Sequence, residues 1–146
     1  MKIADWLEQH PVNGVTVERD ASLEEAAEAL LAEPECRDIY VTDAEGRVVG
    51  HLGFRRLAGV LLSAHRPTHS RRQMLERVAR GPVHEFMDRR FIAARLDENV
   101  HQVLHPHMER RVEDIPVLDA DGRLVGVIRL VDLVRAAIEP SDQSIG

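Results

Sequence analysis

The sequence predicts a mixed α+β fold made of two pseudo-symmetric repeats, each running strand, helix, strand, strand, helix. Three observations predict it. Ile115 and Val117 sit two apart, as do Val125 and Val127, and Asp119-Ala120-Asp121-Gly122 separates the two runs with a glycine available for a positive φ, the pattern of a β-hairpin. After Ile128 the period changes: Leu130, Leu133, Val134, Ala137 and Ile138 fall at i, i+3, i+4, i+7 and i+8, one apolar stripe of a helix. The third observation is that this unit occurs twice.

A shift of 76 residues lays Asp38 to Gly50 on Asp114 to Gly126 with nine identities in thirteen positions, among them the turn residues Asp43, Ala44, Gly46 and Arg47. Phe54, Leu57, Ala58, Leu61 and Leu62 continue in the register of Leu130 to Ile138. Upstream, at a shift of 77, Ser22-x-x-Glu25 and Asn99-x-x-Gln102 both read as helix N-terminal boxes, a cap followed three residues later by Glu or Gln. Each opens an apolar stripe, Leu23 to Leu31 or Val100 to Met108, and each follows a β-prone run, Val15-Thr16-Val17 or Phe91-Ile92-Ala93. Such a duplication fixes the architecture before any local assignment.

Along the chain, residues 3 to 9 predict a lead-in helix that plants Trp6 and Leu7 against the first repeat. The first repeat and its lead-in occupy 1–64, with strands at 38–42 and 47–52 and a helix at 54–64. An Arg/His-rich linker with a short helix occupies 65–82. The second repeat occupies 83–139, opening on Val83-His84-Glu85-Phe86-Met87 as a counterpart of the lead-in. A polar tail occupies 140–146. Pro106, seven residues beyond the Asn99 cap, predicts a kink or an early stop, because proline removes an amide donor and clashes with the carbonyl four residues back.

At 146 residues the chain is long enough to bury a core, and 44% hydrophobic with 30% charged residues is an ordinary globular balance. No apolar run approaches a membrane span and the N-terminus lacks a signal peptide's apolar core, which predicts a cytoplasmic protein with no membrane partner. Cys36 is alone, so no internal disulfide forms. The net charge of −6 argues against nucleic acid as a partner, although Arg66, Arg71, Arg72, Arg77, Arg80, Arg89, Arg90 and Arg95 crowd the middle of the chain.

The order of elements and the run Ile115-Pro-Val-Leu-Asp-x-x-Gly-x-Leu-Val-Gly-Val-Ile128, with Asp132 after it, resemble the CBS domain. Two copies in tandem resemble a Bateman module, over about residues 15 to 138; the first copy has Tyr40 in the usual proline place. The resemblance implies repeats packed through their sheets and a ligand at the strand-to-helix junctions, in the cleft between the repeats. It also implies association into flat homodimers through the helical faces, for which the stripes Phe54 to Leu62 and Leu130 to Ile138 supply a surface.

In CBS pairs a Gly-x-x-(Thr/Ser)-x-x-Asp run brings a hydroxyl near the phosphates, and its carboxylate accepts both ribose hydroxyls of an adenosine nucleotide. Here the second copy reads Gly126-Val-Ile-Arg129-Leu-Val-Asp132: the aspartate matches and Arg129 replaces the hydroxyl. The first copy reads Gly50-His-Leu-Gly53-Phe-Arg-Arg56, and Arg56 has no acceptor to offer a ribose hydroxyl. Two unequal pockets are therefore expected, the one around Asp132 for adenosine and the one around Arg56 either empty or suited to a phosphate or another anion. By element order the resemblance carries the base to Asn13, Gly14, Val15, Cys36 and Arg37, with Val127 beside them. Arg129 and Arg37 are the phosphate candidates, Arg129 because it heads a helix and Arg37 because of its charge.

His101 and His105 lie at i, i+4, a spacing compatible with a metal face that His107, His65 and His69 could join. No cysteine accompanies them and no His-Glu-x-x-His run is present, so no metal is assigned. Nothing resembles a nucleophile with its base or a two-carboxylate arrangement, so no enzyme is predicted. The expected function is a non-enzymatic sensor of AMP, ADP or ATP, with or without magnesium, that signals to an unidentified regulated protein. The alternative is a structural or protein-interaction module with degenerate nucleotide sites.

Overall fold

The computed structural model describes residues 1–63, 77–110 and 112–139; most of the linker and the polar tail lie outside the described residues, and 77–80 are helical. The chain divides into two compact units, unit 1 comprising Met1–Gly14 with Ile92–Gly146 and unit 2 comprising Val15–Phe91. Helix α1 (Ile3–Gln9) belongs to unit 1. Unit 2 runs β1 (Val15–Glu18), α2 (Leu23–Leu31), β2 (Asp38–Thr42), β3 (Val48–Gly53) and α3 (Phe54–Ser63). Unit 1 continues with β4 (Ala94–Arg95), α4 (Val100–Glu109), β5 (Asp114–Leu118), β6 (Leu124–Arg129) and α5 (Leu130–Ile138).

Each unit holds a three-stranded sheet, β1-β2-β3 or β4-β5-β6, parallel in its first pairing and antiparallel in its second. The two hairpins are built alike. Asp43 Oδ1 accepts from the amides of Glu45 (3.0 Å) and Arg47 (2.9 Å), Asp119 Oδ1 accepts from those of Asp121 and Arg123 (both 2.9 Å), and Gly46 and Gly122 take φ of 81° and 83°. The Arg47 amide above all holds the Asp43 carboxyl below its ordinary value, and the Arg123 amide does the same for Asp119. The helix starts are capped, Ser22 Oγ accepting from Glu25 N at 3.0 Å and Gln102 Oε1 from Asn99 N at 3.0 Å.

Strand β4 pairs only through Ala94 and Arg95, later in the chain and shorter than the run at 91–93 predicts. In unit 2, Thr16 of β1 pairs with Tyr40; the matching residue in unit 1 is Pro116, which has no amide to extend the parallel ladder. Helix α4 does not stop at Pro106 but runs to Glu109. Gln102, whose carbonyl loses its donor, and Pro106 both lie on the exposed face, so the loss falls on the side open to solvent.

The lead-in departs from expectation. Trp6 and Ile3 are buried with Ala94, Val100, Val103, Ile115, Val117, Ile128, Leu133 and Ala136, and Leu7 packs against this cluster, so α1 completes the core of the second repeat's sheet and not the first's. Ile3 and Ala4 donate to the carbonyls of Glu98 (2.9 Å) and Leu96 (3.1 Å), and Val127 N donates to Val12 O at 2.9 Å. The counterpart is a single 3-10 turn, Val83–Glu85, followed by a bridge in which His51 and Asp88 exchange backbone bonds of 2.9 and 2.8 Å. Val12 and Asp88 are 76 residues apart, as are His51 and Val127, so the duplication extends to this contact. The physical reason is that β3 and β6 are edge strands whose outer amides need partners, and the lead-in segments supply them. Gly50 and Gly126 make room, since a Cβ there would meet Met87 in one unit and Leu7 in the other.

The helical stripes are buried only in part. Leu23, Ala26 and Leu30 are buried on α2, Leu57 on α3, and Leu133 and Ala136 on α5. The repeat-equivalent pairs Leu31 with Met108 and Leu62 with Ile138 are exposed, as are Val131 and Val134.

Candidate functional site

Strand β6 ends on Arg129, whose extended backbone (φ −91°, ψ 134°) caps α5, and Asp132 stands in that helix's first turn. Their side chains meet in a fork. Arg129 Nε donates to Asp132 Oδ2 at 2.8 Å and Nη2 donates to Oδ1 at 2.9 Å, while Arg135 Nη1 donates to Oδ1 at 3.3 Å. The Asp132 side chain is 7% exposed and that of Arg129 17%, so the guanidinium covers a carboxylate already out of water. Such bidentate, charge-assisted bonds are among the stronger polar contacts a protein makes.

Beside this fork in sequence, Val127 is buried and its amide is held by Val12 O. Gly14 takes φ of 81°, and a Cβ on it would stand 2.6 Å from Val127 Cγ2, so the backbone lies against that side chain where no substituent fits. Unit 1 thus brings Gly14, next in sequence to the exposed Asn13, to Val127, and Arg129 to Asp132. The other sequence candidates lie in unit 2. Val15 is buried in β1 and Cys36 is buried just before β2, its amide donating to Glu33 O at 2.9 Å. Arg37 is exposed, with its guanidinium 5.5 Å from the ring centroid of Phe54, a cation–π contact.

The equivalent junction of unit 2 has different chemistry. Gly53 and Arg56 stand where unit 1 has Arg129 and Asp132, and Arg56 Nε donates to Phe86 O at 3.0 Å, tying α3 to the segment that covers β3. A pair that sequence reasoning missed lies close by: His51 Nε2 is 2.7 Å from Oδ1 of the buried Asp38, and Asp38 Oδ2 has no hydrogen-bond partner among the described residues. The available signal was the hairpin register, which sets Asp38 opposite Gly53 and Tyr40 opposite His51.

His107 of α4 does not share the face of His101 and His105. His101 and His105 are exposed, His105 3.1 Å from Glu109 Oε1, whereas His107 is buried with Nδ1 2.7 Å from Val103 O and Nε2 3.1 Å from Ile92 O. His65 and His69 lie outside the described residues. Among the described residues no group of three or more His, Cys, Asp or Glu is placed to hold a metal ion, and no helix is long and apolar enough to cross a membrane.

The model of the CBS domain matches the chain twice, over residues 8–63 and 83–139. A CBS-domain containing protein from Agrobacterium tumefaciens superposes with a TM-score of 0.74 at 26% identity, covering 94% of this chain and 100% of that one. The cytosolic domain of the Mg2+ channel MgtE, in complex with ATP, matches at 26% identity and a TM-score of 0.65 over 84% of this chain and 44% of that one. A CBS domain pair in complex with 5′-methylthioadenosine and S-adenosyl-L-methionine shares the fold at 23% identity and a TM-score of 0.71, over 92% of this chain and 94% of that one. No curated protein matches the chain in a sequence search.

Proposed function

Since the chain belongs to the CBS domain family, with both repeats matched, we propose that it is a non-catalytic regulatory module whose unit 1 junction binds an adenosine nucleotide of the AMP, ADP or ATP class. The observation that carries this reading is the Asp132 carboxylate, buried in the first turn of α5 with both oxygens accepting from a forked donor. A ribose offers two neighbouring hydroxyl donors of the same kind. Asp132 is the ribose acceptor and Arg129 the phosphate contact, and Val127, Asn13 and Gly14 border the base. Structures of the same fold hold ATP, S-adenosylmethionine or methylthioadenosine, which supports adenosine as the shared element. The junction of unit 2 is no second copy of this site, because Arg56 cannot accept from a hydroxyl.

The module acts in the cytoplasm as a homodimer and passes a ligand-dependent change of shape to a regulated protein. A ligand shifts such an equilibrium only through unequal affinity for the two shapes. The exposed apolar pairs Leu31 with Met108 and Leu62 with Ile138, alike in both repeats, support a second copy as the occupant of the helical faces.

A thermal-shift panel of AMP, ADP, ATP, S-adenosylmethionine and NAD, with and without magnesium, tests the proposal. A ligand at a hundred times its Kd adds about 2.7 kcal/mol to stability, and at least one adenosine phosphate is expected to raise Tm. The second reading, a protein-interaction module with lapsed nucleotide sites, draws on Arg129 occupying Asp132 and on Arg56 being tied to Phe86. A panel without any shift favours it.

A further inference from the structure

We infer that unit 2 carries a binding site for a guanidinium or ammonium group, formed by Asp38 and His51 in front of Gly53. Asp38 is 7% exposed, with His51 Nε2 2.7 Å from Oδ1 and no hydrogen-bond partner for Oδ2 among the described residues. A neutral imidazole gives such a carboxylate one hydrogen bond but leaves its charge uncompensated. Out of water a charge is costly unless it is both paired and hydrogen-bonded. Arg37, Arg55 and Arg56, the cations nearest in sequence, are exposed and none of them pairs with Asp38. Arg56 Nε donates to Phe86 O, and Arg37 lies over the Phe54 ring.

The duplication indicates what kind of group fits. Asp38 and Asp114 are repeat equivalents and both are buried. In each hairpin the residue across from the aspartate ends the second strand: Arg129 stands across from Asp114, and Gly53 across from Asp38. Unit 1 therefore carries a guanidinium on the residue opposite its buried aspartate, and unit 2 carries only a hydrogen there. A Cβ on Gly53 would stand 3.3 Å from Asp38 Oδ1 and 3.6 and 3.9 Å from Cε1 and Nε2 of His51, so the bare backbone fronts the pair. Gly53 is half-buried and the His51 side chain 20% exposed, which leaves the pair open on that side. A guanidinium meets a carboxylate as a planar fork and an ammonium brings three donors; either supplies the charge that His51 does not. The site lies within unit 2 and does not depend on the adenosine reading of unit 1.

Titration of methylguanidinium chloride into the wild-type protein, followed by NMR at the Gly53 amide and the His51 ring, tests the site. Tetramethylammonium chloride, a cation without N–H donors, is the control. Wild type is expected to saturate with methylguanidinium at a Kd on the order of 1 mM, a scale so small a ligand can reach. Tetramethylammonium is expected to leave the same signals in place. Asp38→Asn keeps the shape and removes the charge, and should lose about tenfold or more in affinity, the scale of one charge-assisted hydrogen bond. Equal responses to the two cations, equal binding by Asp38→Asn, or no saturable response overturns the site. Gly53→Arg and Gly53→Met carry the test if Asp38→Asn does not fold. The first puts a cation on the chain opposite Asp38 and the second a neutral side chain of similar reach. Gly53→Arg is expected to have the higher Tm and no response to methylguanidinium; equal Tm values, or binding kept in Gly53→Arg, overturn the inference.

Discussion

His51 Nε2 stands 2.7 Å from Asp38 Oδ1 in unit 2, three residues ahead of Phe54, where α3 begins, whereas the equivalent residue of unit 1 is the apolar Val127. Among the described residues the imidazole is the side-chain partner of Asp38, whose second oxygen has none. Removing one partner of such a pair costs more than removing both. His51→Val is therefore expected to destabilise the protein by about 1–3 kcal/mol, and the double variant Asp38→Val with His51→Val to regain most of that loss in urea unfolding. Equal losses in the single and double variants would show that the bond carries no coupling.

Trp6 places α1 in the core of unit 1. Trp6→Ala is expected to cost about 3–5 kcal/mol. In hydrogen exchange the loss of protection should appear first in β5 and β6, with β2 and β3 following only on global unfolding. Loss confined to β2 and β3 would return the helix to the first repeat.

Asp43 and Asp119 link the hairpins to pH. Their folded carboxyls titrate below the ordinary value of 3.8, because backbone amides, Arg47's and Arg123's first, favour the charged form. A depressed folded value means a contribution fully present above the unfolded value and lost as pH falls from about 3.8 through the lower folded value. The double variant Asp43→Asn with Asp119→Asn keeps the turn acceptors and removes both titrations. Its Tm should fall less steeply than wild type's below pH 4; parallel curves would remove the two turns from the acid response.

Leu62 and Ile138 stand at equivalent, exposed places on α3 and α5. Sedimentation is expected to find wild type as a dimer and Leu62→Lys with Ile138→Lys as a folded monomer, since neither side chain supports its own unit's core. A monomeric wild type at micromolar concentration would contradict the homodimer.

What the sequence made legible was local. Asp43 and Asp119 at their turns, and Ser22 and Asn99 at their helix starts, form bonds within four residues, so spacing alone reports them. The lead-in was misplaced because an apolar stripe shows that Trp6 is covered but not which sheet covers it, and the deciding contacts, to Glu98 and Leu96, are some ninety residues away. Asp38 with His51 went unseen because the contact crosses a hairpin whose pairing shifts between Val41 and Thr42. Arg129 with Asp132 was readable as an i, i+3 pair at a helix start, yet the family pattern drew Arg129 toward phosphate. Local charge pairing and ligand recognition use the same residues, and sequence spacing does not rank them.

The central claim is that Asp132 receives the sugar of an adenosine nucleotide. Calorimetry of AMP binding to wild type and Asp132→Ala measures it directly. Two hydrogen bonds to a charged group, each about 1.5–3 kcal/mol, predict a loss of more than tenfold in affinity. Equal affinity of the two proteins for AMP would contradict the account and remove Asp132 from the site.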